Sequence, residues 1–190
     1  MRLSNSTYET IKCRVVDFLE DYGIDSYPLD IFSLVSGMGI MLVAYSSLPD
    51  LRRAAAMEYS EDAFRVISPD YSTAIIYSND VLSIGRIRYN IAHELAHIVL
   101  GHGSRDGDPE VESEADFFAA YLLMPVPLVC KLCSPDPSEV SEFFETSYES
   151  ATYAVRRARA RIGCGEAPKE YELRLIRNIL GAMRGGDSIG

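Results

Sequence analysis

Basic residues are scarce in this chain: 18 lysines and arginines stand against 28 aspartates and glutamates, for a net charge of −10. General nucleic-acid binding depends on clustered lysine and arginine, so it is not expected. Histidine is scarcer still, with three in 190 residues. No stretch reads as the run of about 20 apolar residues that a membrane helix needs. The N-terminus, MRLSNSTYETIKCRVVDFLEDYG, mixes polar and apolar residues and lacks the apolar segment of a secretion signal. A cytoplasmic protein without a membrane partner is the expectation. Of the four cysteines, Cys13, Cys130, Cys133 and Cys164, one pair forms a CxxC. With no second pair, a four-cysteine zinc site is not expected, and Cys130 and Cys133 read as reduced thiols near a helix end.

What is present suits a folded domain. Hydrophobic residues make up 47% and charged residues 24%, an ordinary globular balance. The pattern predicts an N-terminal helix within residues 1–27, a core over 28–130 and a helical region over 131–190, together one compact domain. Ser6 and Glu9 read as a capping box for the first helix, and Gly23 as its stop. A second helix is expected from Pro28 to Gly37. The runs Gly39–Tyr45, Ala54–Tyr59, Ala63–Ile67 and Thr73–Tyr77 read as short strands, and their succession predicts an antiparallel meander. From Ser83 to Leu100 the period becomes helical, with Gly101 as terminator. Another helix follows over Glu110–Met124, ended by Pro125 and Pro127. Helices are also expected over Ser138–Thr146, Ser150–Ile162 and Lys169–Met183, with a loop at Ser134–Pro137 and a frayed Gly-rich end. The fold class expected is α+β, a small antiparallel sheet packed with helices.

The chemistry concentrates in Ile91-Ala92-His93-Glu94-Leu95-Ala96-His97, an HExxH motif. On a helix, positions i and i+4 share a face, so both imidazoles reach one ion. Glu94 lies about 100° around the helix from His93, near such an ion without having to bind it. There it can act as the general base towards a water that zinc has made acidic. All three histidines, His93, His97 and His102, fall in one short segment. His102 lies just past the helix end, where capping is its expected role.

A catalytic zinc takes three protein ligands and keeps one position open. The next helix begins Glu110-Val111-Glu112-Ser113-Glu114-Ala115-Asp116. Glu112 is the expected third ligand, with Glu114 as its competitor. Asp116, four residues on, is expected to accept a ligand imidazole N–H. Tyr89 and Tyr121 are available to stabilise an oxyanion, but among twelve tyrosines neither stands out. Arg156, Arg157, Arg159 and Arg161 form a basic cluster, read as a solvated helix face or a dock for an acidic partner.

At these residues the sequence resembles the ImmA/IrrE family of metallo-endopeptidases. The resemblance lies in IAHELAHIVLGH at Ile91–His102 and ESEADFFAAYLLMP at Glu112–Pro125, and extends more weakly over Pro28–Ile162. Tyr89 stands where the family usually has Phe, and Ala96 where Gly is frequent. The resemblance implies a zincin-like, gluzincin-type core with His93, His97 and Glu112 as zinc ligands and Glu94 as catalytic glutamate. It also implies a protein substrate, a helix-turn-helix repressor or antitoxin of a phage or mobile element, whose cleavage lifts repression. The alternative is a zinc-containing module that sequesters a transcription factor without cutting it. Substrate pairing is expected along a strand edge, at Thr73–Tyr77.

Overall fold

The computed structural model describes residues 3–70, 72–103, 107–133 and 136–186. Residues 104–106 of the polar loop, Ser134 and Pro135 of the next loop, and Asp187–Gly190 of the Gly-rich end lie outside the described residues. The fold is α+β, mostly helical with one three-stranded sheet. The described residues divide into two units, one of residues 30–119 and one of residues 1–29 with 120–190.

In the first unit, β1 (Met41–Ala44), β2 (Ala63–Ile67) and β3 (Ala74–Ser78) form a sheet of order β1-β3-β2. β2 runs antiparallel to β3, and β1 runs parallel to it. The sheet is therefore mixed and not the antiparallel meander that the sequence predicts. The reason lies at Ala54–Tyr59, which is not a strand but the body of a helix, α3 (Asp50–Tyr59). Its Leu-Arg-Arg-Ala-Ala-Ala-Met-Glu run consists of strong helix formers, and that preference outweighs a strand reading. A 3₁₀ turn (Tyr45–Ser47), α3 and β2 thus separate β1 from β3, a connection long enough for parallel pairing.

The helix α2 (Ile31–Gly37) begins later than Pro28. Asp30 is its N-cap, accepting from the backbone N–H groups of Phe32 and Ser33. It packs against β1 and against α4 (Ile84–Leu100), and α4 also lies against β2 and β3. The strand period of two sorts the β2 side chains. Phe64 pairs across the ladder with Tyr77, the rings stacked 4.8 Å apart. Arg65 opposite Ile76 therefore belongs to the other face. Asp62, at the entry to β2, accepts hydrogen bonds from Arg86 Nε (3.0 Å) and Asn90 Nδ2 (3.1 Å), tying α4 to the strand.

The second unit is helical. It holds α1 (Asn5–Asp21), α6 (Val126–Leu132), α7 (Pro137–Phe144), α8 (Tyr148–Cys164) and α9 (Glu170–Gly186). The helix α5 (Pro109–Leu123) starts in the first unit and ends in this one. Ser4, not Ser6, caps α1 through the N–H of Thr7. Glu9 does not complete a capping box. It accepts from Lys12, Lys169 and Tyr171 and so joins α1 to α9. Pro125 and Pro127 do more than end a helix: Pro127 sits in the first turn of α6. Contrary to the sequence reading, Pro109–Leu132 is long and apolar enough to cross a membrane. Most of it is buried inside the protein, as in a core helix, and α5 gives way to α6 at Met124–Pro125.

Burial pushes the Glu9 carboxyl up, but its three donors outweigh that and hold it down at about 2. A depressed carboxylate stabilises above its unfolded value and loses that contribution as pH falls through the folded one. Glu9→Gln is therefore expected to cost about 1–2 kcal/mol at pH 7, discounted for partial exposure. The gap from wild type should close between pH 4.5 and about 2. Denaturant unfolding across that range measures it, and a gap that does not change with pH contradicts the assignment.

Candidate metal centre

Residues four apart on α4 place His93 and His97 on successive turns of one face. Their Nε2 atoms stand 3.1 Å apart. Glu112, in the opening turns of α5, brings Oε2 to 3.2 Å from His93 Nε2 and 3.7 Å from His97 Nε2. Two ligands bonded at about 2.0–2.1 Å to one tetrahedral ion lie about 3.3 Å apart. The triangle of 3.1, 3.2 and 3.7 Å brackets that edge, so the donor set fits a small divalent cation. A proton on His93 Nε2 can satisfy the edge to Glu112, whereas a cation at the centre satisfies all three atoms. Among the described residues these three make up the grouping able to hold a metal. Cys130 and Cys133 are outside it, and burial raises both thiols.

The surroundings fix the rings. His93 Nδ1 lies 3.0 Å from Asp116 Oδ1, and the Tyr89 hydroxyl donates to the same oxygen at 2.8 Å. The His93 hydrogen bond is the largest influence holding the Asp116 carboxyl down, so Asp116 is an ionised acceptor. Tyr89 is thus engaged as a donor to Asp116, and Tyr121 belongs to the other unit. His97 Nδ1 faces His102 Nδ1 at 3.0 Å, and His102 Nε2 faces Glu114 Oε2 at 3.1 Å. Glu114, the competitor for the third ligand position, is thus turned to His102. Burial is the main cause that drives His97 down to about 3, with Arg65 adding to it, which keeps its imidazole neutral at physiological pH. Burial also opposes charge on His93, but Asp116 and the nearby Glu94 outweigh it and raise its pKa.

His102 arrives through a Schellman turn. Gly101 takes φ +68° at the end of α4, and the backbone N–H of His102 bonds the carbonyl of His97 at 3.0 Å. The capping expected of His102 is done by its backbone, and its ring is left to contact His97. A Gly-His pair just past an HExxH helix is the sequence signal for this.

Sequence reasoning misses Arg65. Its Nη1 donates to Glu94 Oε2 at 3.1 Å, and both side chains are about one-tenth exposed. The available signal is a charge in the strand AFRVI, on the face shared with Ala63 and Ile67. Burial pushes the Glu94 carboxyl up, with Arg65 and His93 opposing it, which brings the group towards the range useful to a general base. A cavity of about 290 Å³ opens beside these groups, lined by Ser60, Asp62, Ala63, Arg86, Tyr89 and Asn90 together with His93, Glu94, Glu112 and Asp116.

Electron-pair donors gathered round one point, with a buried acid beside them, form a grouping that could hold a metal ion. Residues 49–156, more than half of the chain, match the IrrE N-terminal-like domain of a peptidase family, and the chain belongs to that family. It is also similar to a solved structure described as a Mycobacterium tuberculosis transcriptional regulator, at 18% identity and a TM-score of 0.49. The match covers 75% of this chain but 45% of the regulator, so the chain spans less than half of that protein's length. No curated protein matches significantly.

A buried ion pair that loses one member leaves an uncompensated charge, at a cost of about 3–5 kcal/mol. Arg65→Met is expected to destabilise the metal-free protein by about 3 kcal/mol, and adding Glu94→Gln should restore much of it. Urea unfolding of the double-mutant cycle tests this, and simple additivity would refute the pairing.

Proposed function

We propose that the chain is a zinc-dependent endopeptidase, with His93, His97 and Glu112 as metal ligands and Glu94 as general base. The observation that carries this reading is the triangle of Nε2, Nε2 and Oε2 atoms beside a buried glutamate at the mouth of a cavity. Zinc held there would supply Lewis acidity to a carbonyl oxygen and make water a usable nucleophile near neutral pH. Glu94 accepts the proton of the attacking water and returns it to the leaving amine nitrogen. Arg65 holds the Glu94 carboxylate in place, and Asp116 orients His93.

An extended substrate segment pairs with a strand edge in this proposal, but the strand is not the one that the sequence indicates. Thr73–Tyr77 falls on β3, the central strand, which already has partners on both sides. The outer edge of β2 takes that role, because Ala63 at its start lines the cavity with His93 and Glu94. The substrate we favour is a helix-turn-helix repressor or antitoxin, cut in the cytoplasm to relieve repression. The family membership supports the peptidase part of this statement.

A second reading has one observation behind it. Arg65 already engages the Glu94 carboxylate, as suits a module that binds zinc and sequesters a transcription factor without cutting it. Co-expression with a candidate helix-turn-helix repressor or antitoxin separates the two. An endopeptidase yields regulator fragments that disappear in Glu94→Gln while zinc content stays stoichiometric; Glu112→Ala loses both. Derepression that survives Glu94→Gln, with the regulator intact, overturns the enzyme in favour of sequestration.

A further inference from the structure

We infer that His102 and Glu114 form a relay that sets the tautomer of His97 and thereby holds its Nε2 ready for a cation. This rests on the metal site proposed above and deepens it. The His97 side chain is 1% exposed and that of His102 is 2%, so neither ring can exchange its partners for water. Each ring nitrogen of these residues therefore needs a protein partner. A carboxylate oxygen accepts hydrogen bonds, so the His102 nitrogen 3.1 Å from Glu114 Oε2, Nε2, carries the proton. In the neutral imidazole that leaves His102 Nδ1 as an acceptor. It faces His97 Nδ1 at 3.0 Å, so His97 carries its proton on Nδ1. The lone pair of His97 is then on Nε2, the atom that meets His93 Nε2 and Glu112 Oε2.

Two ligand imidazoles are thus fixed by different means. His93 leans directly on Asp116, whereas His97 reaches its carboxylate through a second histidine. The difference follows from position. His97 is in the last turn of α4, and the left-handed Gly101 folds the chain back so that residue 102 bonds the carbonyl of His97 and overlies its ring. Those two rings meet edge to face, with centroids 4.9 Å apart. Because Glu114 acts only through His102, the two residues should not contribute independently.

The test is zinc affinity of the metal-free full chain, read by competition with a chromophoric chelator, for His102→Ala, Glu114→Ala, Glu114→Gln and the double alanine variant. Outer partners of ligand histidines are worth about 10–100-fold in metal affinity, and His102→Ala should lose that much. Glu114→Ala should lose about tenfold, and Glu114→Gln, whose amide oxygen still accepts from His102, should recover most of it. The double variant should bind no more weakly than His102→Ala. A merely structural role predicts lower unfolding temperatures without this non-additivity and without rescue by glutamine. Wild-type affinity in His102→Ala, or a full further loss on adding Glu114→Ala to it, overturns the relay. If wild type itself binds no zinc, or Glu112→Ala binds it undiminished, the metal site is wrong and the relay falls with it.

Discussion

Two imidazoles one helical turn apart, turned so that their Nε2 atoms meet at 3.1 Å, are the constraint around which the first unit is arranged. Like donors do not approach so closely without something between them, whether a proton or a cation. Much of the neighbouring structure keeps that approach in place. Asp62 ties α4 to β2 through Arg86 and Asn90, Asp116 takes the outer nitrogen of one ring, and His102 takes that of the other. The positions that carry these groups on α4, at 86, 90, 93 and 97, follow the helical repeat. One face of one helix thus faces the sheet at its beginning and the candidate metal centre at its end.

Electrostatics in a buried setting gives the neighbouring residues different tendencies. His97 is driven neutral chiefly by burial, whereas the carboxylates around His93 pull its pKa upward. Glu94, mostly out of water, is raised by burial and restrained by Arg65. The same pairing that gives the carboxylate a fixed orientation also lowers its readiness to take a proton. Stability and reactivity are therefore set against each other at one hydrogen bond between β2 and α4.

Most of the helices, and the grouping of His93, His97 and Glu112 that could hold a metal, are legible in the sequence because they rest on local periodicity. His93, Glu94 and His97 declare themselves by spacing, and Glu112 and Asp116 by sharing a face at i and i+4. The sheet is less legible. Ala54–Tyr59 is ambiguous as a short apolar run, and its resolution as α3 converts an all-antiparallel expectation into a mixed sheet. The roles of Arg65 and His102 depend on tertiary approach: a strand laid across a helix in one case, a left-handed turn in the other. Ser4, and not Ser6, caps α1, and Glu9 is claimed by residues about 160 positions away in sequence, a partnership invisible to any local pattern.

The most direct measurement of the central claim is the zinc coordination shell seen by X-ray absorption on the loaded protein. One zinc per chain is expected, with two imidazoles and a carboxylate oxygen at about 2.0–2.1 Å plus one further light atom, and no sulfur. A sulfur neighbour at about 2.3 Å, or a shell with fewer than two imidazoles, would contradict it.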